Sequence, residues 1–266
     1  MFEYLEYFQY EFFWRTVIIG IIFSSIGPIL GLLLITKRNS GLIDTLSHSS
    51  LLIALFNVFL KIPIFLTAIL SSLIMSFSIT KLNQSQKKFP ESINIALTII
   101  FLAITNIIIS KSKNLNSTFS NYLFGSITTV TLNDIYTTSL IGIVILIFYF
   151  LNYSSFFLIS LDADLATVNK INVKKLNFLG LFLAGLFIAI SLPIIGLVMT
   201  TGIMILPALA SINLQLSYKQ TLIYSIVFSI FGFVAGLLFA LNLNIPVSSS
   251  VIIINLVLYL VSMIKK

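Results

Sequence analysis

Long apolar runs, separated by short polar segments, make up most of this 266-residue chain. Because the runs are continuous rather than alternating, they favour membrane-spanning helices over a β-barrel. The runs that predict spans are residues 16–36, 45–60, 62–80, 92–110, 135–161, 176–218 and 220–264. The last two runs are each long enough for two spans. The pattern therefore predicts an all-α polytopic membrane protein of eight or nine transmembrane helices.

Several interruptions divide these runs. Residues 119–132 are too polar for a span and predict a re-entrant or interfacial segment. Gly27–Pro28 predicts a kink or a break in the first span. Pro193 and Gly196 mark the break within 176–218, and residues 242–246 mark the break within 220–264.

Small and polar residues inside the spans predict how the helices pack. The chain carries two pairs of glycines four residues apart: Gly27 with Gly31, and Gly232 with Gly236. Such pairs let two helix backbones approach closely. In the run 92–110, the polar residues Asn94, Thr98 and Asn106 are predicted to point into the protein.

The composition fits a membrane protein, with 58% hydrophobic and 9% charged residues. Soluble domains carry about 25% charged residues. The whole chain, 1–266, is predicted to be one transmembrane domain with a short polar tail at 1–13. The absence of Cys excludes disulfides and thiolate metal sites.

The net charge of +7 reflects membrane orientation rather than nucleic-acid binding, because the basic residues lie between apolar runs. A nine-span arrangement with the N-terminus outside puts eleven of the 15 Lys and Arg residues inside. The four left outside are Arg15, Lys61, Lys111 and Lys113. This bias predicts the orientation of a nine-span arrangement, and an eight-span arrangement would place one terminus on the other side.

Asp44 and the chain's only histidine, His48, lie four residues apart at the start of an apolar run. On a helix they share one face, and ionisable groups at membrane depth mark functional sites. Three interpretations remain open from these residues: a structural pair, a proton relay, and a metal site. Imidazole with carboxylate suits Zn, Mn or Fe(II), and two ligands give the weak binding that a transit site needs.

The energy source and the enzyme classes are also constrained. No Gly-x-x-x-x-Gly-Lys-Ser/Thr sequence is present, so any ATP-driven role requires a separate ATPase. The chain has one histidine and no Ser/His/Asp set with the spacing of an enzyme, so most acid–base and nucleophilic mechanisms lack a required residue. The chain is therefore not predicted to be an enzyme. The charged segment 162–175 predicts either a solvated cytoplasmic loop or a docking helix for a cytoplasmic partner.

Several stretches resemble one known family, the membrane permease subunits of zinc/manganese ABC importers (ABC-3). The most specific is Leu-Ile-Asp-Thr-Leu-Ser-His-Ser at 42–49. The others are 27–31 with the basic pair at 37–38, 122–125 with Asp134, 162–166 with 171–173, and 196–199 through 206–208. One departure is Lys170, which stands where the family usually has Gly.

The resemblance implies a multi-pass protein of the bacterial inner membrane that imports divalent metal ions as an ABC permease. It implies a homodimeric pore with cytoplasmic ATPase subunits and an extracytoplasmic metal-binding protein, surrounded by membrane lipid. Asp44 and His48 match the positions expected to meet the metal, which is a substrate and not a permanently bound cofactor. The matching ATPase-coupling residues are Asp162, Asp164, Leu165, Ala166, Ile171, Asn172 and Val173.

Three other functions compete with this interpretation. A secondary transporter would be driven by an ion gradient and would need inverted repeats and midplane charges. An ABC permease for a metal chelate would have a wide site without a small inorganic ligand set. A non-transport scaffold would explain the hydrophobicity but not the position of Asp44 and His48.

Overall fold

The computed structural model describes residues 9–36, 41–60, 62–85, 90–111 and 115–264. The basic pair Lys37 and Arg38, the tail before residue 9, and Lys61, Lys87, Lys88 and Lys113 lie outside the described residues. Within the described ranges the chain forms helices and no strands, so the all-α prediction is confirmed.

The helices are numbered in chain order. They are α1 (Glu11–Ile35), α2 (Gly41–Leu60), α3 (Ile64–Ser85), α4 (Pro90–Lys111), α5 (Leu115–Phe124), α6 (Leu132–Leu151), α7 (Tyr153–Leu161), α8 (Ala163–Val168), α9 (Val173–Ile195), α10 (Leu197–Asn213), α11 (Tyr218–Leu243) and α12 (Val247–Ile264). A short 3-10 helix, Ile127–Thr129, follows α5. Eight of these helices are long and apolar enough to cross a membrane: α1, α2, α3, α4, α6, α9, α11 and α12.

Helix α10 is shorter but also traverses the bundle. Its first residue follows Gly196, which packs against Gly125 at the end of α5. At its other end, the Asn213 amide donates a hydrogen bond to Ser262 Oγ near the end of α12, at 3.0 Å. A 17-residue helix is about 25 Å long, which is close to the thickness of the hydrocarbon core. Eight helices among the described residues meet the length for a span, which is within the predicted eight or nine, and α10 is a shorter apolar helix beside them.

The core lies where α1, α9, α10 and α11 meet. Phe23 of α1 contacts Phe187 of α9 edge-on, with ring centroids 5.6 Å apart. Both side chains are buried, as is Phe233 of α11. These apolar contacts enclose α1 and α9 on nearly all sides and make them the central helices of the bundle.

The glycine pairs pack as predicted. A Cβ at Gly31 would overlap the backbone of Met204 in α10, and a Cβ at Gly27 would lie 2.9 Å from Ile203. Gly232 and Gly236 bring α11 equally close to α12. Of the two predicted alternatives at Gly27–Pro28, the break does not occur, because α1 runs through Pro28 as one helix packed against α10.

Two further predictions are wrong in detail. Residues 135–161 do not form a single span, because α6 ends at Leu151 and α7 begins at Tyr153. Thr131 and Asp134 cap α6 at Leu132, so its 20 residues already cover about 30 Å and cross the bilayer. Asn106 is exposed, and the neighbouring Thr105 is the buried residue.

Candidate functional site

Helix α2 places Asp44 and His48 on one open face. Asp44 lies in the first turn and is exposed, and His48 lies one turn later and is half-buried. Thr45, Leu46 and Ser47 between them are fully buried. The sequence prediction that the two side chains share a face is therefore consistent with the burial pattern, and they interact electrostatically.

A hydroxyl network fixes the rotation of α2. Thr45 Oγ1 donates to the Gly41 carbonyl at 2.9 Å, and it lies 3.0 Å from both the Asn94 carbonyl and Thr98 Oγ1 of α4. Asn94 is fully buried. Because Thr45 is held on α4, its neighbour Asp44 is turned toward the open side. Nothing in the spacing alone revealed this role of Thr45, although Asn94 and Thr98 were predicted to be interior.

The opposite face of α2 is held by α3 and α9. A Cβ at Gly185 of α9 would lie 3.2 Å from Ser72 of α3 and 3.7 Å from Leu46. The absence of that carbon lets the three helices pack closely. Asp44 and His48 are thus presented from a helix fixed on both flanks.

His48 carries an unpaired buried nitrogen. Its Nδ1 is enclosed and has no hydrogen-bond partner in the structure. Since His48 is only half-buried, part of its side chain stays accessible to a ligand. A carboxylate and an imidazole with a free nitrogen can bind a divalent cation, accept a proton or pair with a second polar chain.

One copy of the chain supplies only part of a metal site. No group of three or more His, Cys, Asp or Glu side chains comes together among the residues that the structure describes. Structural zinc sites in proteins are almost always four-coordinate. Two ligands per chain therefore fit weak binding, or a site that two chains complete.

The next turn of α2 toward the other end of the bundle is sealed by apolar side chains. Leu51 is fully buried against Leu192 of α9 and Leu197 of α10, with Phe119 and Leu123 of α5 packed beside them. The open face thus ends one turn beyond His48.

Helix α5 is anchored at a backbone contact between two glycines. Gly125 and Gly196 have φ of 76° and 80°, and a Cβ on either would overlap the backbone of the other turn. The Ser126 N–H donates to the Ile194 carbonyl at 3.1 Å. This contact holds the predicted re-entrant segment against the α9–α10 break, which lies at Gly196 as predicted.

The segment 162–175 folds as a capped short helix followed by a tight turn. The Asp162 carboxylate accepts a hydrogen bond from the Asp164 N–H at 2.7 Å, at the start of α8. At the other end, the N–H groups of Lys170 and Ile171 donate to the carbonyls of Thr167 and Ala166. Lys170 has a φ of 59°, in the left-handed conformation that this C-terminal motif requires and that Gly usually supplies.

This turn presents an apolar surface outside the bundle. Leu165 and Val168 are 53% and 79% exposed, whereas Ala166 is buried. Asn172 then caps α9 by accepting a hydrogen bond from the Lys175 N–H at 3.1 Å. The predicted coupling residues are therefore brought together in one short structural unit, and its exposed leucine and valine are suited to a protein contact.

Comparison with known proteins identifies the family. The family model described as the ABC 3 transport family matches residues 9–266. The chain belongs to the ABC 3 transport family. Its predicted resemblance to zinc and manganese ABC importer permeases is confirmed, and so is its assignment to the inner membrane as a multi-pass protein.

Individual relatives cover almost the whole chain. The high-affinity zinc uptake system membrane protein ZnuB of Buchnera aphidicola subsp. Baizongia pistaciae is 30% identical over 97% of this chain and 99% of its own length. The manganese transport system membrane protein MntC of Listeria monocytogenes is 22% identical over 96% and 90%. These relatives are membrane components of transport systems.

The solved structures support the fold. The structure titled PsaBC from Streptococcus pneumoniae in complex with Fab has a TM-score of 0.85, covers 97% of this chain and 94% of that chain, and is 22% identical. A likeness at this identity supports the helix arrangement and not the site.

Proposed function

We propose that this family member is the permease subunit of an ABC importer that moves Zn, Mn or Fe(II) across the inner membrane. The observation that carries the proposal is the open face of α2, a candidate membrane span, where Asp44 is exposed and His48 is half-buried with an unpaired Nδ1. Ionisable groups within membrane spans are costly unless they are paired or reach water, and they commonly mark the pathway of a substrate or ion. Zinc and manganese appear in the names of its relatives, which supports a divalent cation as the substrate.

The transport site would be completed by a second copy of the chain. Two copies related by a two-fold axis would contribute two carboxylates and two imidazoles, which is enough for four-coordinate binding. Each copy alone supplies a weak pair. Separation of the two halves would therefore release the ion, which is what a transit site requires.

ATP hydrolysis would take place in separate cytoplasmic subunits, and the chain itself would have no enzymatic role. The exposed Leu165 and Val168 of α8 would seat on the ATPase, with Asp162, Ile171 and Val173 fixing the segment at either end. An extracytoplasmic binding protein would deliver the metal on the opposite side. The ion is cargo, and no resident cofactor is part of the proposal.

The test is metal uptake by the assembled transporter in proteoliposomes. His48→Ala and Asp44→Ala should each lower uptake of radioactive zinc or manganese by at least roughly tenfold, because losing a direct ligand should cost no less than losing a ligand's hydrogen-bond partner. Phe56→Leu, at an exposed position further along α2, is the matched control and should leave uptake unchanged. Elution as the same complex would show that assembly is intact.

Three results would contradict the proposal. Normal uptake by both ligand variants would reject the site. Uptake without ATP, driven by an ion gradient, would favour a secondary transporter. Uptake that free zinc and manganese salts do not compete with would favour a metal-chelate permease.

A further inference from the structure

A basic groove lies between the last turns of α3 and the first turn of α9. Its volume is about 580 Å³, and Lys81, Lys174, Lys175, Phe77 and Phe178 line it. It lies at the end of the bundle that carries α8, which the distribution of Lys and Arg places on the cytoplasmic side. The basic groove is separate from the Asp44–His48 face and plays no part in the proposed transport site.

The groove carries positive charge without an internal counter-ion. None of the described residues that line it is acidic. Within the described ranges, none of its three lysines forms an ion pair. The positive end of the α9 dipole adds to this field, because α9 begins at Val173 beside the groove. The site is therefore complementary to an anionic group.

An exposed apolar stripe leads from the groove along α3. Leu70, Ile74 and Phe77 are 46%, 56% and 60% exposed and follow one another at helical spacing. Lys81 ends this stripe, with its ammonium group 5.7 Å from the centre of the Phe77 ring. A positive pocket above a hydrocarbon face matches the two parts of a phospholipid, and basic pockets between transmembrane helices are known to bind anionic headgroups.

We propose that the basic groove binds an anionic phospholipid of the inner leaflet. The phosphate lies between Lys81 and the Lys174–Lys175 pair, and one acyl chain lies along Leu70, Ile74 and Phe77. The apolar stripe favours a lipid over a free phosphate or a protein surface, because neither of these has a long hydrocarbon tail to cover it. Binding fixes the end of α3 to the start of α9, directly after the segment proposed to contact the ATPase.

The experiment is native mass spectrometry of the purified transporter complex, titrated with phosphatidylglycerol or with phosphatidylcholine of the same acyl chains. The parent complex should retain phosphatidylglycerol in preference to phosphatidylcholine. Lys81→Gln combined with Lys174→Gln should weaken phosphatidylglycerol binding by roughly 25-fold, since each lysine contributes about fivefold. The charge-matched control, Lys170→Gln with Lys219→Gln, alters two exposed lysines outside the groove and should change binding less than twofold.

Lys81→Arg combined with Lys174→Arg keeps the positive charge and should retain the lipid at the parental level. This variant shows that a loss in the glutamine variant comes from the lost charge and not from failed assembly. Equal losses in the groove and control pairs would overturn the proposal, because they would indicate nonspecific attraction. Displacement of the lipid by inorganic phosphate would assign the groove to a free anion instead. Loss of the ATPase subunit with unchanged lipid retention would assign it to a protein contact.

Discussion

Two polar regions at membrane depth in this bundle are built in opposite ways. At the α9–α10 break, Thr200 Oγ1 lies 3.0 Å from Ser191 Oγ and 2.7 Å from the Gly196 carbonyl, and both side chains are fully buried. On α2, Asp44 is exposed and His48 Nδ1 has no partner in the structure. The first region is closed and hydrogen-bonded, and the second is open and unpaired.

The difference separates a structural use of polar groups from a functional one. Unsatisfied polar groups in hydrocarbon are costly, and at the α9–α10 break the hydroxyls of Thr200 and Ser191 are hydrogen-bonded within the bundle. An open ionisable pair on a helix that is otherwise tightly fixed keeps its capacity for a ligand. This contrast is consistent with the proposed transport role of the α2 face and with a scaffold role for the α9–α10 break.

The largest expected effect is on the closed region. Gly196→Ala should lower the free energy of unfolding by more than about 3 kcal/mol, because the added Cβ requires an unfavourable backbone conformation and overlaps the Gly125 turn. Denaturation in detergent micelles measures this. The matched control is Gly41→Ala, where a Cβ meets nothing nearer than 3.9 Å and should change stability by less than about 1 kcal/mol. Equal effects at both glycines would show that the break is not specially packed.

A smaller effect is expected at Thr200. Thr200→Val removes the hydroxyl that contacts Ser191 and the Gly196 carbonyl, and should lower the free energy of unfolding by about 1 kcal/mol. Metal uptake per assembled transporter should stay at the parental level, which proteoliposome assays normalised to protein would measure. A loss of uptake by a fully stable Thr200→Val variant would show that Thr200 takes part in transport. The closed region would then not be purely structural.

The smallest effect concerns Lys170, which shares a positive φ with Gly196 but lies exposed on the surface. Lys170→Gly should raise the free energy of unfolding by roughly 0.5–1 kcal/mol, because glycine has no Cβ to strain in the left-handed conformation. Lys170→Ala keeps the Cβ and should bring no such gain. Thermal unfolding of the complex measures both variants. Equal increases in stability for Lys170→Gly and Lys170→Ala would show that the increase comes from removing the charge and not from relieving backbone strain.

Much of this architecture could be predicted from the sequence, because the thickness of the bilayer sets the length of apolar chain that each span needs. The runs located most of the spans and the break at Pro193–Gly196. The four-residue spacing of Asp44 and His48 predicted a shared face, which the burial pattern supports. Each of these features depends on local periodicity or on composition.

Features that depend on tertiary packing could not be predicted in the same way. Nothing local indicated that α1 would continue through Pro28, since that depends on its contact with α10. The end of α6 at Leu151 follows from a cap at Thr131 that shifts the whole span. The role of Thr45 depends on Asn94, 49 residues away, and no local signal connects them.

The most direct test of the transport site uses the absence of cysteine in this chain. In a His48→Cys variant of the assembled transporter, a membrane-impermeant thiol reagent reports whether position 48 faces water, and cadmium reports whether a thiolate there still binds a divalent ion. We predict that the introduced thiol reacts, that cadmium protects it, and that the same reagent leaves a Thr200→Cys variant unmodified. An unreactive thiol at position 48, or one that reacts equally with and without cadmium, would contradict the account.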